Sequence, residues 1–194
     1  HRVSPAVVAQ DLVSSFDISA TALGVLASAY FYPYAMMQVP VGILSDSWGP
    51  KKTIVVFSLV AAFGAIGFGL APRFGFAIAA RACVGLGLAA VFVSTMRIFG
   101  LWFRGAQLAR VAGALMAVGG IGWFSATTPL AFLSGLVGWR IAIILVGCAS
   151  LVVIFFIWRF IEDSPEAKGL PPVVEAGEAV FSGKRNIFDD LAIV

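Results

Sequence analysis

Two arginines, Arg2 and Arg81, stand in stretches of sequence that are otherwise mostly apolar. A guanidinium group offers a planar fork of donors that matches the oxygens of a carboxylate or phosphate. Arg81 lies about seven residues inside a long apolar run, which is roughly 10 Å from its end at about 1.5 Å per helical residue. A cation at that depth in a membrane is costly, so it should face a protein cavity. The two arginines predict a binding site for an anionic solute.

Each arginine also has a purely structural interpretation. Arg81 would then cap helix ends or donate to backbone carbonyls, and so hold neighbouring helices together. Arg2 would extend along its helix to the membrane surface, as long cationic side chains do near helix ends. The sequence leaves both interpretations open.

Three polar side chains follow one another at helical spacing. Tyr30 and Tyr34 are one turn apart, and Gln38 comes one turn later, so all three share a helix face. We predict that they line the cavity and contact the solute. Packing of the tyrosines against neighbouring helices is the alternative. Pro33 and Pro40 predict a distortion of the same helix, because proline removes a backbone donor.

Long apolar helices are the elements that must position these side chains. Hydrophobic residues make up 60% of the chain and charged residues only 12%, a balance that no soluble domain of this size needs. About 20 apolar residues cross a hydrocarbon core of roughly 30 Å, and backbone groups in lipid must be paired within a helix. The sequence therefore predicts an all-α polytopic membrane protein. The predicted spans are 20–44, 53–71, 74–99, 111–133 and 141–161, after a remnant of a first helix at 1–10.

A polar turn between the first two complete spans carries a recognisable pattern. Residues 42–52 read GILSDSWGPKK, and this pattern resembles the loop between the second and third helices of the major facilitator superfamily of transporters. The run from Arg81 to Gly87 also resembles the R-x-x-x-G-x-G pattern of that family's fourth helix. Ser47 and Pro50 depart from the family's loop, which usually has basic residues there. The resemblance covers about residues 1–165.

The resemblance implies a fold and a mechanism. It implies the N-terminal six-helix half of the fold, with part of helix 1 and helices 2 to 6, which acts with a missing C-terminal six-helix half. In the anion/cation symporter and organophosphate antiporter branches, an arginine at the place of Arg2 faces the substrate cavity. His1 stands where relatives often carry an acid, and histidine titrates nearest to neutral pH, so it is the candidate proton carrier. Proton coupling, sodium coupling, exchange and uniport all stay open.

The resemblance also implies a gate. In the family, the loop braces the two halves in one conformation, so the predicted gate residues are Gly42, Asp46, Gly49 and Lys51. We expect Asp46 to accept hydrogen bonds from a helix N-terminus and to pair with Lys51. A local cap of the turn is the alternative for Asp46.

Glycines are frequent in the predicted spans. Small residues let helix backbones approach closely in lipid, so helix packing is the expected role of most of them. The clustered glycines are Gly64, Gly67, Gly69, Gly85, Gly87, Gly113, Gly119, Gly120 and Gly122.

Basic residues divide unevenly between the two ends of the predicted spans, nine on the side of the polar turn against three on the other. The positive-inside rule then places the 42–52 loop and the C-terminal tail in the cytoplasm. We expect an integral protein of the bacterial inner membrane. The nine are Lys51, Lys52, Arg97, Arg104, Arg110, Arg159, Lys168, Lys184 and Arg185, and the three are Arg2, Arg73 and Arg140.

The sequence contains no nucleophile with a base, no metal-ligand cluster and no phosphate loop, so we expect no enzyme, cofactor or metal site. The basic residues are accounted for by the membrane orientation, so no nucleic acid partner is expected. We predict a helical bundle at 1–165 and a cytoplasmic linker between halves at 166–194. The expected function is secondary transport of a small anion across the bilayer. The alternative is a half-size structural or sensory membrane subunit that packs with a partner and does not transport alone.

Overall fold

The computed structural model describes residues 8–171, which form helices and contain no strand. The predicted all-α class is confirmed. His1, Arg2 and residues 172–194 of the predicted linker lie outside the described residues. The helices are α1 (Ala9–Phe16), α2 (Ala20–Met36), α3 (Gln38–Ser47), α4 (Pro50–Gly69), α5 (Phe74–Trp102), α6 (Gly105–Ser125), α7 (Thr128–Val137) and α8 (Trp139–Phe160), followed by a 3₁₀ turn at Glu166–Lys168.

Two of the predicted spans are each divided into two helices. The span predicted at 20–44 becomes α2 and α3, which meet at Met37. Pro40 has no backbone N–H to donate to the Met36 carbonyl four residues earlier, and its ring crowds that carbonyl, so the helix ends there. Pro129 has the same relation to Ser125, and the span predicted at 111–133 is accordingly divided into α6 and α7.

Four segments of the described chain are long and apolar enough to cross a membrane: 50–69, 74–102, 105–137 and 139–160. A fifth is added if α1 and α2, which are bent by 114°, form one broken span. These findings agree with an integral, polytopic membrane protein.

The first helix extends further along the chain than the sequence predicts. The sequence predicts a remnant of the first helix at 1–10, but α1 runs to Phe16, and Asp17 follows with a left-handed backbone. Val8 and Leu12 are buried, in a cluster with Phe68 of α4.

Helices α4, α5 and α8 form the most closely packed part of the bundle. A methyl group at Gly64 of α4 would lie 3.0 Å from the Ala80 carbonyl oxygen of α5. One at Gly147 of α8 would lie 3.3 Å from the Ala62 carbonyl oxygen of α4, and one at Gly87 would overlap the backbone of α4. Small residues permit this close approach, so the predicted packing role is confirmed for Gly64 and Gly87, and Gly147 has the same role although it is not one of the clustered glycines.

The glycines of α6 have different surroundings. A methyl group at Gly113, Gly119, Gly120 or Gly122 would meet no atom of the described chain within 4 Å. The predicted packing role is therefore not met at these four positions by the residues that the structure describes.

Candidate functional site

Arg81 lies inside the bundle, with 3% of its surface exposed. Its guanidinium carbon is 5.0 Å from the centre of the Tyr30 ring on α2 and 5.7 Å from that of the Phe68 ring on α4. A cation within about 6 Å of an aromatic face is attracted by the electron-rich face of the ring. Arg81 is therefore buried, as its position in the sequence predicts, beside aromatic rings of two neighbouring helices.

The contact between α2 and α5 sets this arrangement. The helices meet at Gly85, where a methyl group would overlap the Tyr30 carbonyl. Gly85 lies one helical turn after Arg81, on the same face of α5. The Tyr30 ring is buried and stacks on Tyr34, with ring centres 5.7 Å apart and planes at 18°.

A cavity of about 710 Å³ opens between α2, α5 and α6. Its hydroxyl-bearing wall residues are Tyr30, Tyr34 and Thr95, and Tyr30 therefore touches both Arg81 and the cavity. The other side chains of the wall are apolar, and include Phe92, Met116 and Trp123.

The structure brings together three of the predicted binding residues and leaves one apart. Arg81, Tyr30 and Tyr34 are neighbours, although Arg81 is not itself among the described wall residues of the cavity. Gln38, the first residue of α3, is not among them either. The prediction that Gln38 shares a cavity face with the tyrosines is therefore wrong in this arrangement.

The predicted gate loop lies at one end of the bundle, here called the charged end, with Asp46, Lys51, Arg97 and Glu162. Asp46 pairs with Arg97 of α5 at 2.5 Å, and both side chains are substantially exposed. Lys51 pairs with Glu162, just after α8, at 3.1 Å, and its side chain is only 18% exposed. Two separate ion pairs therefore tie the loop region to two different helices.

The predicted pairing of Asp46 with Lys51 is wrong. The acid that accepts from the N-terminus of α4 is Asp163, whose Oδ1 is 2.6 Å from the backbone nitrogen of Lys51. Glu162 and Asp163 lie two and three residues after the end of α8, and they accept hydrogen bonds from the side-chain ammonium and from the backbone N–H of Lys51. Asp46 is left to reach across to Arg97.

Of the two predicted gate glycines, the structure explains Gly49. Its φ of +90° is one that residues with a side chain rarely adopt, and a methyl group there would lie 3.1 Å from Oδ2 of Asp163. At Gly42 a methyl group would meet nothing within 4 Å in the described chain. The packing of residues 8–171 therefore requires glycine at 49 and does not require it at 42.

Residues just after α8 contact the charged end, and the sequence did not predict these contacts. The Trp102 indole donates to the Glu162 carbonyl at 3.2 Å, and the Lys168 ammonium lies 5.7 Å from the centre of the Trp102 ring. The sequence predicts no role for Glu162 or Asp163. The available signal was a pair of acids directly after the last apolar run, in a chain whose polar turn carries two lysines.

A buried hydroxyl pair joins the cavity region to the charged end. The hydroxyl oxygens of Ser45 on α3 and Ser94 on α5 are 2.5 Å apart, and both residues are almost completely buried. Ser45 directly precedes Asp46 of the exposed ion pair, and Ser94 directly precedes Thr95 of the cavity wall. Helices α3 and α5 are therefore joined between the cavity and the exposed ion pair.

Fold and site together define a polytopic helical membrane protein with a buried cation beside an open cavity. A family model for the Major Facilitator Superfamily matches residues 3–193. The chain belongs to this superfamily, and its helices correspond to the N-terminal half of the fold, as the sequence predicted.

Curated relatives are similar over most of this chain. The probable sulfoacetate transporter SauU of Cupriavidus necator is 28% identical over 165 residues, which are 85% of this chain and 38% of that protein. The uncharacterized transporter YybO of Bacillus subtilis is 27% identical over 86% of this chain and 38% of its own length. The galacturonate transporter of Dickeya chrysanthemi is 25% identical over 94% of this chain and 52% of its own length. The chain thus spans 38% of the length of the first two of these relatives.

Proposed function

We propose that these residues form the N-terminal half of a secondary transporter for a small organic anion. Transport takes place by alternating access, and a second six-helix half completes the binding site. The observation that carries the proposal is the burial of Arg81, at 3% exposure, beside Tyr30 and next to a cavity of about 710 Å³.

The surroundings of Arg81 fit an anion carrier. A buried cation in a membrane helix is costly unless it has compensating partners or a function. The Tyr30 ring lies against the guanidinium, and Tyr30 is also one of the residues that line the cavity. A small movement of Tyr30 then exposes the cationic fork to a carboxylate or sulfonate in the cavity. Arg2 and Tyr34 are further proposed contacts, and His1 is the proposed proton carrier.

The apolar part of the cavity wall favours an organic solute. Three hydroxyl-bearing side chains stand among aromatic and aliphatic ones, including Phe92 and Trp123. Two relatives are named for organic anions, sulfoacetate and galacturonate, and these names support the same substrate class.

The charged end is the proposed cytoplasmic gate. The excess of basic residues at this end supports a cytoplasmic location in the inner membrane of a bacterium. The Asp46–Arg97 pair is exposed on both sides, so it can exchange partners with the second half at little cost. Asp46 therefore braces one conformation and is released in the other.

The test uses the gene's complete product, purified and reconstituted in liposomes. Uptake of labelled sulfoacetate and galacturonate is measured for the native protein and for Arg81→Lys and Arg81→Ala. We expect uptake of at least one anion by the native protein. We expect Arg81→Lys to lose about tenfold or more, because an ammonium lacks the planar fork of a guanidinium.

Arg159→Lys is the matched control, since Arg159 lies at the end of α8 against the Phe160 ring, away from the cavity, and it should transport normally. Full uptake by Arg81→Ala would contradict the proposal. Equal loss of uptake and of folded protein in both Arg81 variants would instead assign Arg81 to packing, as expected of a structural subunit.

A further inference from the structure

One face of α6 forms a shallow bay in the cavity wall, here called the glycine bay. Met116, Gly119, Gly120 and Trp123 belong to this wall, and their spacing of three, four and seven residues places them on one helix face. A methyl group at Gly119 or Gly120 would meet nothing within 4 Å in the described chain. The helix backbone is therefore open to the cavity between a methionine and a tryptophan that are each about half exposed.

Helix packing in the described chain does not account for the two glycines of the bay. Gly85 and Gly87 on α5 lie against the backbone of a neighbouring helix, whereas Gly119 and Gly120 have open space around them. Glycine is also the residue that lets a backbone approach a bound molecule closely. The glycine bay therefore has a shape in which a flat group can lie directly against α6.

Aromatic side chains from three helices share the cavity wall. Tyr34 comes from α2, Phe92 from α5 and Trp123 from α6. Tyr34 already stacks on the buried Tyr30, with the ring planes at 18°. Aromatic rings pair at centre distances of about 4.5–7 Å, and such pairs stabilise more than their buried area alone. The wall therefore offers ring contacts to a planar solute.

Polar groups are few in the described part of the wall. Among its described residues, hydroxyls are present on Tyr30, Tyr34 and Thr95. The Thr95 hydroxyl donates to the Val91 carbonyl at 2.6 Å, so towards a solute it can only accept. A sugar acid carries several hydroxyl groups, and each one that leaves water without a partner lowers the affinity. This wall therefore favours an apolar body over a polyhydroxylated one.

The cation and the glycine bay lie along one direction. Arg81, Leu88 and Phe92 stand on one face of α5, with Leu88 about 10 Å and Phe92 about 16 Å along the helix from Arg81. Two residues join α5 to α6, so these helices run antiparallel. Counted from this connection, Trp123 lies within about 5 Å of the depth of Arg81, and Met116 within about 2 Å of the depth of Phe92. The bay therefore extends from near the level of Arg81 towards the apolar end of the cavity.

We infer that the transported solute is an aromatic acid, in which one carboxylate or sulfonate is attached to a planar ring. The ring lies in the glycine bay, between Tyr34 and the backbone of α6, and the acidic group points along α5 towards Arg81. Trp123 and Met116 bound the ring at the two ends of the bay. This substrate class rests on the proposed transport of anions, and it narrows that function to anions with a flat apolar body.

The test uses the complete protein in liposomes and sulfonates as probes, because a sulfonate stays charged and does not cross lipid as a neutral acid. Uptake of labelled benzenesulfonate is measured in the presence of unlabelled competitors. Cyclohexanesulfonate has a similar size but a puckered ring, so we expect it to compete about fivefold more weakly than benzenesulfonate. Galacturonate should compete at least about tenfold more weakly, because its hydroxyls find few partners.

Filling the bay should weaken the binding of aromatic solutes selectively. Gly119→Val places a branched side chain where the ring lies, so the affinity for benzenesulfonate should fall about tenfold or more, and by a larger factor than that for sulfoacetate, which has no ring. Gly119→Ala makes the same test with a smaller group if the valine variant does not fold. Gly113→Val, on the same helix and outside the described wall, is the matched control and should keep the native affinities.

Three results overturn the aromatic class and leave anion transport in place. The first is uptake of sulfoacetate or galacturonate that depends on Arg81, without uptake of benzenesulfonate. The second is equal competition by cyclohexanesulfonate and benzenesulfonate. The third is a Gly119→Val variant that transports benzenesulfonate as well as the native protein does. If none of these anions is taken up, the proposed function fails, and the aromatic class fails with it.

Discussion

Glycines in two regions of the same membrane bundle have opposite surroundings. On α4 and α5, Gly64, Gly85 and Gly87 lie against the backbone of a neighbouring helix, so close that a methyl group would crowd or overlap it. On α6, Gly113, Gly119 and Gly120 have open space around them in the described chain. The residue type and the apolar surroundings in sequence are the same. The difference is the presence of a partner helix, which no local pattern encodes.

The difference also separates scaffold from site. The packed glycines determine where α2, α4 and α5 lie, and through Gly85 they place Tyr30 beside Arg81. The open glycines Gly119 and Gly120 belong to the cavity wall. Substitution by alanine should therefore unfold the protein in one region and change only the cavity in the other.

The largest effect is expected for Gly85→Ala. The added methyl group would overlap the Tyr30 carbonyl, which belongs to a helix backbone and cannot rotate away. Overpacking of a core usually costs about 1–3 kcal/mol, and this case should reach the upper limit or exceed it. The effect is measured as the unfolding temperature of the purified protein, which is monitored through the loss of its monodisperse form.

Gly100→Ala is the control, because Gly100 lies on the same helix, and a methyl group there meets nothing within 4 Å. It should unfold at or above the native temperature. If Gly85→Ala and Gly100→Ala unfold at the same temperature, α2 and α5 are further apart than described here.

A smaller effect is expected for Gly147→Ala. The nearest atom to the added methyl group would be Cγ1 of Ile66 at 2.7 Å, while the nearest backbone atom, the Ala62 oxygen, would be 3.3 Å away. Cγ1 can move away only by a change of χ1, which is restricted in a β-branched residue, and the cost should be about 1 kcal/mol. Because Ile66→Ala removes Cγ1, the Gly147→Ala, Ile66→Ala double variant should lose less unfolding temperature than the sum of the two single variants. Additive losses would mean that the backbone contact dominates the cost.

Much of the fold could be predicted because membrane helices are determined by composition and length. The long spans were placed within a few residues, and the polar turn pointed to the correct family. A distortion of the span at 20–44 was predicted from Pro33 and Pro40, and the structure places it at Met37, whereas the division after Ser125 was missed although Pro129 is visible in the sequence. Proline is tolerated in membrane helices when neighbouring groups compensate, so its presence alone does not decide between a bend and a break.

The site was less predictable, because its contacts join residues far apart in the chain. The depth of Arg81 followed from its position within a span, and its neighbour Tyr30 was predicted on helical spacing. The partner of Lys51 was not, since Glu162 lies 111 residues further on and Asp46 was the nearer acid. Sequence distance favours local pairs, whereas the bundle brings the end of α8 to the start of α4.

The smallest effect on stability is expected for Gly120→Ala, on the open side of the comparison. Alanine is more favourable than glycine in a helix by about 0.5–1 kcal/mol, and nothing in the described chain obstructs the methyl group. Because Gly120 belongs to the cavity wall, its methyl group should instead alter anion uptake. One such group in a pocket is worth about 1–3 kcal/mol, which corresponds to a change of about 10–200-fold in the efficiency of uptake. Gly113→Ala on the same helix, away from the described wall, should leave both uptake and unfolding near native. A large loss of unfolding temperature in either variant would show that this face of α6 is packed in the complete protein, and the contrast with Gly85 would then disappear.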